Sequence, residues 1–214
     1  MRRLILVCCA LLTLVGCQSA YYSAMEKAGI HKRDILVDRV EDARDSQQHA
    51  KEQFKDALER YRSGAEVKGG DLQKRYDAPN SEYEASVVSA RNVRSRIEAV
   101  EDVADALFKE WEGELKQYSN ASLKSASAKE LSRTRAEYRT LIQRMKAAEQ
   151  RIEPVLSVLR DQVLFLKHNL NARAISALHG EYRSLQGNVD QLLADMQRAI
   201  DEADTFIRRL QTEG

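Results

Sequence analysis

Residues 131–166, LSRTRAEYRTLIQRMKAAEQRIEPVLSVLRDQVLFL, contain the pattern that decides the fold. One series places an apolar side chain at every seventh position: Leu131, Tyr138, Met145, Ile152, Leu159 and Leu166. A companion series follows at the same interval: Ala128, Arg135, Ile142, Glu149, Leu156, Val163 and Leu170. Paired series of this kind are typical of long α-helices that pack on one another at shallow angles. The stretch therefore predicts one long helix with an apolar stripe that other helices cover.

Three more segments show the same periodicity. The segment from about Ser23 to Ser63 has the stripe Leu36, Val40, Ala43, Gln47, Ala50, Phe54, Ala57 and Tyr61. The segment from about Ser81 to Tyr118 has Tyr83, Ala90, Ile97, Ala104, Trp111 and Tyr118, with Ser86, Val93, Val100 and Leu107 as companions. The segment from about Ala172 to Leu210 has Leu178, Tyr182, Leu185, Val189, Leu192, Met196, Ile200, Ala203, Ile207 and Leu210. Helices of about 40 residues would each be about 60 Å long.

The connections between these segments predict the topology. Gly64 to Asn80 contains Gly69, Gly70 and Pro79, which predicts a loop of about 16 residues. Ser119 to Ser125 is a short polar turn. Lys167 to Asn171 predicts a tight hairpin in which Asn171 caps the following helix, although one uninterrupted helix stays open as an alternative. Pro154 falls inside a pattern that keeps its phase, which favours a kinked but continuous helix over a break at Glu153.

Together these features predict an all-α fold, an elongated bundle of four long antiparallel helices with coiled-coil-like heptad packing over residues 23–214. Two of the turns, Gly64–Asn80 and Lys167–Asn171, would lie at one end of the bundle. The Ser119–Ser125 turn and the carboxyl end of the fourth helix would lie at the other.

The first 17 residues indicate export. Arg2 and Arg3 precede an apolar run that ends in Leu14-Val15-Gly16-Cys17. The run is too short to span a bilayer, which takes about 20 residues. It resembles a bacterial lipobox, which implies a signal peptide at 1–16, an acylated Cys17 and a short tether at 17–22. Gln18 follows Cys17, and the common sorting pattern then predicts a lipoprotein on the periplasmic face of the outer membrane.

The sequence lacks the motifs of most catalytic and ligand-binding sites. Cys8 and Cys9 leave with the signal peptide, so the exported domain has neither a disulfide nor a free thiol. The four histidines have no acidic residue three positions before them, which argues against a di-metal bundle. Hydrolase, Walker A and dinucleotide-binding motifs are missing as well. With a net charge of only +1 there is no electrostatic case for nucleic acid. We therefore predict a non-catalytic protein with no cofactor and no metal site.

One polar cluster and several single residues remain as candidates for function. Lys167, His168, Asn169 and Asn171 form a possible protein-binding tip, with helix capping as the competing interpretation. Gln47, Arg135 and Glu149 interrupt apolar series and either are partly exposed or fix the register. Trp111 is expected to anchor the core or its rim. Tyr21 and Tyr22 would lie at the membrane interface or pack under the first helix.

Three stretches, together with the lipobox, resemble a known family. They are His31-Lys32-Arg33-Asp34-Ile35-Leu36-Val37, then Val103-Ala104-Asp105-Ala106-Leu107-Phe108-Lys109-Glu110-Trp111, and Asp161-Gln162-Val163-Leu164-Phe165-Leu166-Lys167-His168-Asn169-Leu170-Asn171-Ala172. They are similar to an uncharacterised lipoprotein family of Gram-negative bacteria, catalogued as a domain of unknown function, number twenty-nine fifty-nine. The resemblance implies a location in the envelope but no reaction and no catalytic residues.

The resulting functional hypothesis is a lipid-anchored scaffold or adaptor of the cell envelope. It would bind the membrane through its lipid, and a protein partner or a second copy of itself through its helical faces. The alternative is an enzyme or small-ligand-binding protein with a pocket in the bundle core. A coiled coil that only spaces or stiffens the envelope is a third possibility.

Overall fold

Four long helices make up most of the protein. A computed structural model describes residues 21–22, 24–66, 72–169 and 172–212, with side chains for 21–22, 24–62, 76–169 and 182–212. The helices are α1 (Lys32–Glu66), α2 (Leu72–Glu114), α3 (Ala121–His168) and α4 (Ala172–Thr212). A short helical stretch at residues 24–27 precedes them and was not predicted as a separate element. The described residues contain no β-strand, which agrees with the predicted all-α class.

Neighbouring helices run in opposite directions. Lys32 at the start of α1 pairs with Glu110 near the end of α2, whereas Gln53 farther along α1 bonds to Glu82 early in α2. The same reversal occurs at the other interfaces, in the pairs Glu101–Lys146 and Glu112–Arg135, Glu137–Arg209 and Arg151–Asp195, and Arg33–Leu210 and Arg44–Asp204. The helices form a ring in which α1 and α3 each pack between α2 and α4.

The ring has two ends. At the Lys32 end, α1 and α3 begin and α2 and α4 finish; at the His168 end, α3 finishes and α4 begins. The predicted grouping of the turns is therefore correct: the α2–α3 turn and the end of α4 lie together at the Lys32 end.

The core follows the predicted stripes closely in α1 and α4. The whole α1 stripe from Leu36 to Tyr61 is buried. In α4 the stripe from Leu185 to Leu210 is buried, and Ala199 and Phe206 join it. Leu178 lies outside the residues whose side chains are described. Tyr182 stacks on Tyr61 with a centroid distance of 6.1 Å and brings the α1 and α4 stripes together toward the His168 end.

The predicted companion series of α3 is wrong by one residue over much of its length. The series that begins at Leu131 is buried throughout, and the predicted companions Leu156 and Val163 are buried as well. Toward the start of the helix the buried companions are instead Thr134, Leu141 and Ala148, and farther along Val155 and Gln162 are buried beside Leu156 and Val163. Arg135, Ile142 and Glu149 are only half-buried, and Ala128 is exposed. Steps of three and of four residues both return to the same face of a helix. The neighbouring helices decide between them, and they cover Leu141 completely but Ile142 only in part.

The second helix also differs from its prediction near its end. Ile97, Ala104, Ser86, Val93 and Val100 are buried as expected. Val103 and Phe108 are also buried, whereas Leu107 and Trp111 are half-buried. Tyr118 was predicted to continue the stripe, but α2 ends at Glu114 and Tyr118 is 41% exposed. Beyond Glu114 the helical spacing no longer applies.

The predicted Gly64–Asn80 loop is too long, because α2 already begins at Leu72 and includes Pro79. Local contacts stabilise this early start: Tyr76 packs on the core, its hydroxyl donates to Asn80 Oδ1 (3.4 Å), and Asn80 donates to Glu84 (3.0 Å). The continuity predicted at Pro154 is confirmed, since α3 runs through it without a break. Helices α3 and α4 are separate, as the hairpin interpretation required; Leu170 and Asn171 lie outside the described residues.

A glycine turn ends the short stretch before α1. Gly29 has φ +82°, the left-handed region that favours glycine. Gly29 N–H donates to Glu26 O and Ile30 N–H donates to Met25 O, which is the Schellman pattern of a helix end. His31 N–H then donates to Asp34 Oδ2 (3.2 Å), half of a capping box that starts α1. The first helix therefore begins at Lys32 rather than near Ser23.

Candidate functional site

A charged cluster closes the Lys32 end. The Lys32 ammonium donates to Glu110 Oε1 (2.9 Å) and to Glu26 Oε1. It also lies 5.8 Å from the ring centroid of Tyr22, within the range of a cation–π contact. Tyr22 is buried in the core, whereas its neighbour Tyr21 is 42% exposed. Of the two alternatives left open for these tyrosines, packing under the first helix describes Tyr22.

The cluster shifts the pKa values of its two carboxylates in opposite directions. Desolvation raises the pKa of Glu110, and the nearby Glu26 raises it further against the opposing effect of Lys32. The hydrogen bond from Lys32 lowers the pKa of Glu26. Burial opposes the charge of Lys32, but its two carboxylate partners together raise its pKa. Desolvation also raises the pKa of Tyr22. The arrangement keeps Lys32 charged and ties the segment before α1 to α2.

A cavity of about 190 Å³ lies next to this cluster, where α4 finishes. Leu107, Trp111 and Leu210 form its apolar wall, and Glu110, Glu114 and Glu130 line it with carboxylates. Ligand pockets usually measure about 300–1,000 Å³. The cavity is therefore too small for a typical organic ligand. Trp111 is a rim residue, as predicted: it packs on the core while its Nε1 donates to Ser127 Oγ (2.8 Å).

The other helices do not cover the α2–α3 turn or the first residues of α3. The first buried residue of α3 is Leu131, ten residues after Ala121 and so about 15 Å along the helix. Asn120 caps α3, since its Oδ1 accepts from Ser122 N–H (2.9 Å) and Leu123 N–H (3.1 Å). We call residues 116–126, all of which are exposed, the overhang. The predicted Ser119–Ser125 turn has the wrong bounds, because α3 already begins at Ala121 and the turn occupies residues 115–120.

The His168 end contains the predicted protein-binding tip. Lys167 and His168 are exposed. Asn169 is half-buried and caps α3, because its backbone N–H donates to Leu166 O (3.2 Å) and its Nδ2 donates to Phe165 O (3.1 Å). The capping interpretation therefore accounts for Asn169. Asn171, the fourth predicted member, lies outside the described residues, as does the proposed acylation site, Cys17.

Two exposed apolar side chains lie next to this tip and were not among the residues predicted to form it. Leu164 is 50% exposed and Phe165 is 38% exposed. Both fall between the buried positions Val163 and Leu166, so their place off the core stripe was available from the periodicity. Their exposure gives the tip an apolar part beside Lys167 and His168.

The polar residues on the predicted stripes divide into two kinds. Arg135 pairs with Glu112 (2.8 Å) over the ring of Phe108, and Glu149 pairs with Arg94 (2.8 Å). Both are half-buried, so partial exposure explains them. Gln47 differs: its side chain is 0% exposed, and neither amide atom has a hydrogen-bond partner.

Metal binding and membrane crossing depend on two further features of the fold. Within the described part of the chain, no group of three or more His, Cys, Asp or Glu side chains is placed to hold a metal ion. No helix among the described residues is long and apolar enough to cross a membrane.

Two of the stretches that carry the family resemblance meet at the Lys32 end. Lys32 belongs to the first and Glu110 to the second, and the third ends at the opposite end of the bundle in Lys167 and His168. The contact between Lys32 and Glu110 was not predicted, because opposite charges at helix ends are common in any helical sequence. No curated protein and no solved structure matches the chain at a significant level. Residues 21–210 match the family model described as "Protein of unknown function (DUF2959)". The chain therefore belongs to that family.

Proposed function

We propose that the protein is a non-catalytic, lipid-anchored scaffold or adaptor of the bacterial envelope. It would be held on the periplasmic face of the outer membrane through acylated Cys17. It would bind a periplasmic protein at the His168 end of the bundle. The observation that carries the binding part is the exposed pair Leu164 and Phe165 beside Lys167 and His168.

Such a surface has the composition of a small protein contact. Aromatic and aliphatic side chains supply the buried area at interface centres, and charged residues surround them. The overall shape supports the same role. A bundle about 60 Å long separates its two ends, so that one can be attached while the other reaches a partner.

The alternative, a ligand-binding or enzymatic bundle, has less support. A ligand-binding or enzymatic bundle requires polar groups that converge on a pocket in the core. The cavity of about 190 Å³ at the Lys32 end is below the usual size. Two larger cavities, of about 550 Å³ beside His31 and Gln211 and of about 350 Å³ beside Asp45 and His49, are open at the surface and do not lie in the core. The core elsewhere is apolar except for Gln47, Ser86, Thr134 and Gln162 among the described side chains.

Site-specific photocrosslinking in cells tests the partner surface. A photoreactive residue at position 165 should give a protein adduct, because Phe165 lies at the proposed contact. The matched control is position 88, since Val88 is 54% exposed but lies midway along α2. The Lys167→Ala, His168→Ala double variant should keep its fold and lose the adduct. Equal adducts at positions 88 and 165, or none at 165, would argue against this surface.

The anchor has its own test. Mass spectrometry of the exported protein should find an acylated Cys17 as its first residue, and Cys17→Ser should abolish both acylation and cleavage at this site. A mature protein cut elsewhere, with an unmodified Cys17, would end the lipoprotein proposal without affecting the tip.

A further inference from the structure

The overhang carries two exposed apolar side chains at its outermost part. Tyr118 lies in the α2–α3 turn and is 41% exposed, and Leu123 lies in the first turn of α3 and is 58% exposed. The contacts of the other helices with α3 begin at Ser127, which accepts from Trp111 Nε1, and every residue from 116 to 126 is exposed. These side chains therefore meet solvent or an external surface.

The charge of the overhang is one-sided. Residues 116–126 contain Lys116 and Lys124 and no acidic residue, although the whole chain has 34 basic and 33 acidic side chains. Both lysines are exposed. The amino-terminal turn of a helix favours acidic side chains, yet the first turn of α3 has none and ends in Lys124. This composition is unfavourable for the helix by itself and suits an anionic surface.

The proposed anchor holds the same end close to a bilayer. Three residues lie between Cys17 and Tyr21, and the four Cα-to-Cα steps span at most about 14 Å. Tyr22 lies at the Lys32 end, against the Lys32 ammonium. The overhang lies at this end as well. An acylated Cys17 would thus keep the overhang within reach of the lipid headgroups.

We propose that the overhang is a membrane-contacting foot that binds an anionic phospholipid surface. Tyr118 and Leu123 enter the headgroup layer, where amphipathic aromatic rings and aliphatic side chains are favoured, and Lys116 and Lys124 pair with lipid phosphates. Lipid and foot together make two attachments, which hold the bundle upright with the His168 end directed away from the membrane. This inference rests on the proposed lipid anchor.

Quenching by brominated lipids tests the foot in the acylated full-length protein. Trp111 is the single tryptophan, so Trp111→Phe gives a silent background. Tyr118→Trp in that background reports on the foot. Val88→Trp is the control, because position 88 is also exposed but lies about 39 Å along α2 from Glu114. Circular dichroism checks that each variant retains its helices.

The vesicles contain phosphatidylethanolamine and phosphatidylglycerol, with or without bromine on the acyl chains. Emission from the Tyr118→Trp variant should fall by about half in brominated vesicles, and emission from the Val88→Trp variant should not change. Equal quenching of both would overturn the proposal, because the bundle would then lie flat. Replacing phosphatidylglycerol with phosphatidylcholine should weaken the quenching, and an unchanged signal would overturn the role of the lysines.

Flotation separates the foot from the anchor. Protein that floats with the vesicles but shows no quenching in the Tyr118→Trp variant overturns the foot and leaves the anchor in place. Protein that is not acylated at Cys17 removes the basis of both.

Discussion

Replacing Gln47 with methionine should stabilise the protein. Gln47 lies on the core stripe of α1 between Ala43 and Ala50, and its side chain is 0% exposed. Its Nε2 and Oε1 atoms have no hydrogen-bond partner. Methionine has a similar length and no branch, so Gln47→Met removes the amide while filling nearly the same space.

The magnitude follows from two opposing terms. A buried polar group without a partner destabilises the folded state by about 1–3 kcal/mol. A volume-conserving exchange in a packed core costs less than about 1.5 kcal/mol. We therefore expect the free energy of unfolding to rise by about 1–2 kcal/mol. For a chain of this size that corresponds to an increase in Tm of about 2–8 °C.

Urea unfolding followed by circular dichroism measures the change. Gln150→Met is the matched control, because Gln150 is exposed and should shift the free energy by no more than about 0.5 kcal/mol. A Gln47→Met variant that is no more stable than the wild type would refute the reasoning, since the amide would then have a partner. Sedimentation of the same variant tests whether Gln47 fixes the register: extra oligomeric species would show that it does.

Two other predictions concern the core register and the Lys32 cluster. Leu141→Ala should cost about 2–5 kcal/mol and Ile142→Ala clearly less, because Leu141 is 0% exposed and Ile142 is half-buried; equal losses in urea unfolding would contradict the register. Burial raises the pKa of Glu110 above 4.5, so the folded protein binds the carboxyl proton of Glu110 more tightly than the unfolded chain does. The free energy of unfolding therefore falls as pH rises from 4.5 through the raised pKa. Glu110→Gln should lack this fall above pH 4.5. The hydrogen bond from Lys32 lowers the pKa of Glu26, so its stabilisation is present above pH 4.5 and is lost below it; Glu26→Gln should differ from the wild type at neutral pH and converge with it in acid. Unfolding curves through about pH 3 to 7 test both signs, and parallel profiles for the two variants would contradict them.

Heptad spacing was enough to predict the helices and most of the core. The stripes of α1 and α4 and the Leu131 series of α3 are apolar at nearly every position, so one face of each helix is defined without knowledge of its neighbours. The same spacing does not decide between Leu141 and Ile142, because both are apolar and lie on adjacent parts of the helix surface. Whether Leu141 or Ile142 is buried depends on how the neighbouring helices pack against α3.

The ends of the helices were harder to predict than their middles. The Gly64–Asn80 segment contains glycines and a proline that favour a loop, but Tyr76 reaches the core and Asn80 bonds along the helix, which extends α2 back to Leu72. The cluster of Lys32, Glu26 and Glu110 joins residues 78 positions apart in sequence. No local pattern marks such a contact, and it depends on the order of the helices around the ring.

The antiparallel ring also determines how the protein responds to force. Tension applied between the start of α1 and the His168 end acts along the helix axes, so adjacent helices must slide past one another and every layer of the core resists at the same time. Tension applied between Lys32 and Leu210, which lie at the same end, peels α1 from α4 one layer after another. The bundle should therefore resist tension between the proposed anchor at its Lys32 end and the proposed partner site at its His168 end, and it should yield at a lower force when its first and last helices are pulled apart.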